Sequence, residues 1–109
     1  MANYQGIVVY EIFPNGCLNG VYSNDHPLTQ NEIFNEIARK KSKNAGKIDG
    51  DYTCCYIDLN NVAYICDLEI KNNSNQFQFT WYETGTRNVK FKGIGWLTRN
   101  NQITVMDSD

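Results

Sequence analysis

Histidine occurs once in this chain of 109 residues, proline and methionine twice each, and no apolar run approaches the ~20 residues that a membrane-spanning helix needs. With His26 alone, and no Cys-x-x-Cys pair, a zinc site is not expected, because several ligands must converge at fixed spacing to hold the metal. An excess of one charge is missing too. Ten Lys and Arg stand against twelve Asp and Glu, a formal net charge of −2, so no global field draws the protein to nucleic acid or an anionic membrane. The opening Met-Ala-Asn-Tyr-Gln-Gly has neither the basic start nor the apolar stretch of a signal peptide. The expected compartment is the cytoplasm, unless a leader has been removed.

What is present is apolar and aromatic mass, 41% and 13% of the residues, enough for a packed interior and against intrinsic disorder. The length suits one domain, 1–109. Four cysteines, Cys17, Cys54, Cys55 and Cys66, allow two disulfides in three connectivities, but free thiols are the expectation. Cys54 and Cys55 are adjacent in a strand-like run and so point to opposite faces, where cysteine behaves as a small hydrophobe. Asn72-Asn73-Ser74 matches a glycosylation acceptor, a match of little weight in so Asn-rich a chain.

Gly6 to Phe13 is dense in β-branched and aromatic residues, and Pro14-Asn15-Gly16 supplies turn chemistry before Cys17 to Tyr22, which predicts a hairpin. From Lys47 the pattern is a meander of strands, Ile48 to Asp58, Val62 to Lys71, Gln76 to Glu83, Asn88 to Thr98 and Gln102 to Met106. Asn60-Asn61 fits a two-residue turn, Asn72-Asn73-Ser74-Asn75 a four-residue loop, Thr84-Gly85-Thr86 a glycine turn and Asn100-Asn101 a tight connection. Connections this short force neighbouring strands to be antiparallel.

Between the second and third strands the pattern changes. Thr29-Gln30-Asn31-Glu32 has the spacing of a capping box, Leu28 and Ile33 that of a hydrophobic staple, and Ile33, Phe34, Ile37 and Ala38 fall on one helical face. Arg39, Lys40, Lys41 and Lys43 then suit a helix C-terminus and Gly46 its stop, so one helix is expected here.

Alternation assigns the strand faces. Val62, Tyr64, Cys66, Leu68 and Ile70 face the core, as do Phe77, Phe79 and Trp81, and Val89, Phe91, Gly93, Gly95 and Leu97. Lys90, Lys92, Ile94 and Trp96 then look outward, with Ile94 and Trp96 either a contact between copies or a surface covered by the helix. Gly93 and Gly95 lie inside a strand with no helix N-terminus behind them, so they bend or bulge the sheet and do not cradle phosphate.

The expected fold class is mostly β, an antiparallel meander of about seven strands forming a small barrel, with one helix inserted between strands two and three. A β-sandwich is the main alternative, and a curved sheet wrapped around the helix the third choice.

Pro14-Asn15-Gly16-Cys17-Leu18-Asn19-Gly20-Val21-Tyr22, the Gly-rooted strand at Gly50-Asp51-Tyr52 and the aromatic strand Phe77-Gln78-Phe79-Thr80-Trp81 resemble the calycins, the avidin and lipocalin type of up-and-down barrel. The resemblance covers most of the strand pattern outside the helix. It implies a small barrel whose mouth admits a ligand. The chain departs from that pattern in its shortness and its central helix, and no position matches the polar set that an avidin turns on biotin.

No catalytic residue is expected: Cys17 and His26 lack a third group to complete a nucleophile–base arrangement, and Asp49, Asp51, Asp58, Asp67 and Glu69 suit a solvated face. No cofactor is expected. The sequence favours a non-enzymatic binding module for a small apolar or planar ligand, contacted by Tyr22, Tyr56, Tyr64 and Trp81. The alternative is a structural, homo-oligomeric protein that pairs through Ile94 and Trp96. A third, weak single-stranded nucleic-acid binding, would join Arg39 to Lys43 with Arg87, Lys90, Lys92 and Arg99. No membrane partner is expected.

Overall fold

Eight β-strands follow one another around a closed barrel, each hydrogen-bonded to the next in sequence and the last to the first. The computed structural model describes residues 5–25, 32–42, 47–57 and 60–108. The strands are β1 (Gln5–Ile12), β2 (Cys17–Asn24), β3 (Phe34–Lys40), β4 (Gly50–Ile57), β5 (Ala63–Asn73), β6 (Gln76–Glu83), β7 (Val89–Arg99) and β8 (Gln102–Ser108). Every pairing is antiparallel. Closure between β1 and β8, with Val8 opposite Val105 and Tyr10 opposite Ile103, removes the two open edges that a meander would otherwise expose.

The expected strands all form, and the barrel is the architecture, not the sandwich. The helix is a correction: Phe34–Lys40 is a strand, and no helix occurs among the described residues. The reason is backbone pairing. β3 bonds to β2 on one side, with Gly20 opposite Glu36, and to β4 on the other, with Ala38 opposite Cys54. A helix there would leave both neighbours with unpaired edges, so the strand count is eight rather than seven. Ile33 and Ile37, placed on the core face of the expected helix, are 74% and 54% exposed. The capping-box residues Thr29, Gln30 and Asn31, with Leu28, Lys43 and Gly46, lie outside the described residues. No helix among those described is long and apolar enough to cross a membrane.

Turn chemistry falls where expected at most connections, but β4 and β5 meet at Ile57 opposite Ala63, so their connection is longer than the expected two-residue Asn60-Asn61 turn. Gly16 has φ 86° in a turn closed by its N–H to the Phe13 carbonyl at 3.1 Å, and Gly85 has φ 88° between β6 and β7. The β5–β6 connection is tighter than the expected four-residue loop: Asn73 pairs with Gln76, so the turn is Ser74-Asn75, with Ser74 at φ 60°. Gly93 and Gly95 do not carry the sheet irregularities, which fall at Trp81/Tyr82 and at Leu97/Arg99. Gly95 makes room instead, since a Cβ there would lie 2.9 Å from Phe79 and 3.0 Å from Val105.

The inward rows of the strands fill the barrel. Leu68, Ile70, Phe79, Trp81, Ile103 and Val105 are 2% exposed or less, and each such large side chain contributes about 1.5–3 kcal/mol on burial. Expected core positions at strand ends fare differently: Val62 and Leu97 run past the packed layers and are 46% and 52% exposed, and Val89, 49% exposed, is turned outward by the register shift that pairs it with Tyr82.

Candidate functional site

Strand direction defines the ends of the barrel. The starts of β3, β5 and β7 and the ends of β2, β4 and β6 share one rim, so Tyr22, Phe34, Tyr56, Tyr64 and Phe91 gather at one mouth. The Tyr22 ring stacks on Phe34 at 5.4 Å between centroids and meets Tyr56 edge-on at 6.4 Å, while Tyr56 stacks on Tyr64 at 5.6 Å. Tyr22 Oη donates to the Ile57 carbonyl at 2.6 Å, which fixes that ring at the rim. Tyr22 and Tyr56 are half-buried and Tyr64 is exposed.

Of the four residues read from the sequence, the three tyrosines therefore line one mouth, and Trp81 lies beneath them. Trp81 is 2% exposed, 5.6 Å from Phe79 and edge-on to Phe91 at 6.4 Å.

Two further residues escape the sequence reading. The first is Glu36, the one charged side chain buried among the described residues. Its carboxyl accepts the Tyr10 hydroxyl and, at 3.2 Å, the Trp81 indole N–H. Burial pushes its pKa above the ordinary carboxylate value, and hydrogen bonds from Tyr10, Cys54 and Trp81 offset that rise only in part. Tyr10 is raised as well, by burial first and then by the carboxyl beside it. Cys54 sits opposite Cys66, and their hydrogen bond, with burial, holds the Cys54 thiol protonated far above its usual range. The floor of the mouth is thus a closed polar knot of Glu36, Tyr10, Trp81 and Cys54 inside an apolar barrel.

The second is Lys90, which strict alternation along β7 turns outward. Trp81 pairs with Phe91 and Tyr82 with Val89, so Lys90 is the extra residue of a bulge. A bulge re-aims one side chain. Here it sends the ammonium across the mouth, where Nζ donates to Tyr56 Oη at 2.8 Å and stands 5.3 Å and 5.8 Å above the Tyr56 and Tyr64 ring centres. Burial acts to lower the Lys90 pKa, but Tyr56, Cys66 and Glu83 together outweigh it and the net shift is upward. Tyr56 is raised by burial, in spite of the ammonium.

The proposed basic patch does not assemble. β3 carries Phe34 at the mouth and Lys40 at the opposite end, so the Arg39–Lys41 run and Lys90 occupy different ends of the barrel. Lys41 pairs with Asp67 at 2.8 Å, Lys40 binds the Lys47 carbonyl, and Arg87 stacks over Tyr82 at 4.0 Å. Ile94 is half-buried and Trp96 is 37% exposed, both on the outer face with no helix among the described residues to cover them. The thiols are free: Cys54 and Cys66 are buried, Cys17 is half-buried, and Cys55, expected as a small packed hydrophobe, is exposed. No group of three or more His, Cys, Asp or Glu among the described residues is placed to hold a metal. His26 of the Cys17–His26 pair lies outside the described residues.

No family model, curated protein or solved structure matches the chain.

Proposed function

We propose that this chain is a non-catalytic binding barrel that takes a small apolar or planar ligand at the mouth lined by Tyr22, Tyr56 and Tyr64. The observation that carries this function is the convergence of three tyrosines from β2, β4 and β5 at one rim, with ring centres 5.6 and 6.4 Å apart. Such rings give a planar guest stacking surfaces at little conformational cost. The likeness of the strand pattern to avidin and lipocalin barrels supports the same assignment, since ligands of β-barrels enter through the mouth.

Titration with planar aromatic compounds, followed by Trp fluorescence in a Trp96→Phe background, tests it. Trp81 is then the only indole and lies against Phe91 beneath the mouth. Saturable change that is lost in Tyr56→Ala supports the assignment. A flat response at high concentration, together with a native mass spectrum free of added mass, would remove it.

A second reading, a contact between copies of the chain, is favoured by an outward row in which Met106 lies between Ile7 and Ile94, with Ile7 and Met106 45% and 61% exposed. Trp96 lies on the same face. Sedimentation at rising concentration tests it, and a monomer throughout would exclude it.

A further inference from the structure

We propose that the ligand of the tyrosine-lined mouth is a planar anion and that Lys90 is the residue that recognises its oxyanion. This deepens the binding function above and rests on it.

Lys90 is placed as a recognition group would be. Regular alternation would send it to solvent, and only the register shift opposite Trp81 and Tyr82 brings its ammonium over the mouth. There Nζ gives one N–H to Tyr56 Oη at 2.8 Å. Glu83, at the end of the inward row of β6, acts on the ammonium through space, but the ion pairs among the described residues are Lys41 with Asp67 and Lys71 with Glu69, so no described carboxylate takes the other two donors of Lys90 by contact. A guest lying against the Tyr56 and Tyr64 rings brings its edge to an ammonium 5.3 and 5.8 Å from their centres.

The surroundings favour an anion over the other guests. A cation would be repelled by Lys90, which already occupies the ring faces that would attract it. A neutral guest would stack but leave the ammonium's remaining donors partly desolvated and unpaired. The one buried carboxyl beneath, Glu36, is engaged by Tyr10 and Trp81, and burial favours its protonated form, which weakens its repulsion of an anion. A polynucleotide would need cations along a path, and Arg39, Lys40 and Lys41 lie at the barrel's other end.

The test compares two probes of one shape, 2-naphthoate and 2-naphthylmethanol, by calorimetry on the folded protein. The wild type is expected to bind the naphthoate about tenfold more tightly, the ratio a single charge-assisted hydrogen bond supports. Lys90→Met, which keeps the alkyl stem, should bring the two affinities within about twofold by weakening the naphthoate alone, and Lys90→Arg should keep the preference. Equal affinities in the wild type would overturn the anion while leaving the mouth as a binding site. Equal weakening of both probes by Lys90→Met would reduce Lys90 to a support for the Tyr56 ring. Binding of neither probe would overturn the binding function and this inference with it, as would binding of oligothymidylate alone.

Discussion

The indole of Trp81 and the carboxyl of Glu36, separated by 45 residues in sequence, meet at 3.2 Å in the floor of the barrel, where the Tyr10 hydroxyl reaches the same oxygen. Burial raises the Glu36 pKa above its ordinary 4.5. The folded chain therefore holds this proton more tightly than the unfolded chain, so unfolding releases it in the window between the two values. Stability from this group is full below about 4.5, falls as pH rises through the folded pKa, and is level above it. Urea midpoints from pH 4 to 9 should show this decline in the wild type and a flatter profile in Glu36→Gln, which keeps an acceptor for Trp81. Parallel profiles would mean that Glu36 titrates normally. Glu36→Leu should cost more, about 1–3 kcal/mol for each donor left unpaired.

Gly20 leaves room for the Tyr10 ring. A Cβ at Gly20 would stand 2.7 Å from Tyr10 Cδ1 and 3.1 Å from Val8 Cγ2, and the ring has little freedom to retreat, since its hydroxyl is tied to Glu36 and its face lies parallel to Phe79 at 5.9 Å. Gly20→Ala is expected to cost about 2–3 kcal/mol by overpacking and to alter the near-UV circular dichroism. Gly85→Ala offers a contrast: φ is +88° and nothing lies within 4 Å of the added carbon. Its cost should be about 1 kcal/mol, from backbone strain alone, with an unchanged aromatic spectrum. Equal effects in the two variants would show that the Tyr10 ring yields.

Most of the strand pattern is legible because rows such as Phe77, Phe79 and Trp81 alternate cleanly with polar neighbours, and because Asn and Gly mark the turns. β3 is not legible. Its inward row, Phe34, Glu36, Ala38 and Lys40, is half polar, so the two-residue period disappears, while Ile33, Phe34, Ile37 and Ala38 imitate a helical stripe. The residue that hides the strand is also the one that builds the floor of the site: a buried carboxyl is intelligible only once Tyr10 and Trp81 are seen to donate to it. Lys90 is hidden for a related reason, since a bulge inverts the face of one residue and leaves no mark in composition. The tyrosines of the mouth could be picked as aromatics but not located, because Tyr22, Tyr56 and Tyr64 meet only when the barrel closes.

The four thiols should separate by access. Cys55 is exposed on the outer face of β4 and Cys17 is half-buried, whereas Cys54 and Cys66 are 0% exposed. Ellman's reagent on the folded protein is expected to modify Cys55 first and Cys17 more slowly, with the remaining two thiols appearing only in denaturant. Cys55→Ser should remove the fast phase and change stability by less than about 0.5 kcal/mol, as for an ordinary surface site. Rapid reaction of all four in native buffer would mean that the β4–β5 pair opens readily.

Alkaline titration reads the barrel interior directly. Burial raises Tyr10, Tyr52 and Tyr56 above the ordinary 10.0, and Tyr52 reaches about 12, helped by the charge of Asp49. Tyr52 Oη also donates to the Ile48 carbonyl at 2.6 Å. A phenol whose folded pKa exceeds its unfolded one supports the fold fully below pH 10 and loses that support as pH climbs from 10 toward 12. Absorbance at about 295 nm, where phenolate absorbs, should therefore still be rising above pH 10 as Tyr10, Tyr52 and Tyr56 titrate late or with unfolding. Tyr52→Phe should remove one late-titrating group and lessen the alkaline loss of stability. Its cost at neutral pH should be about 1 kcal/mol, the worth of the Ile48 hydrogen bond. A single transition near pH 10 with the fold intact would show that water reaches the interior phenols.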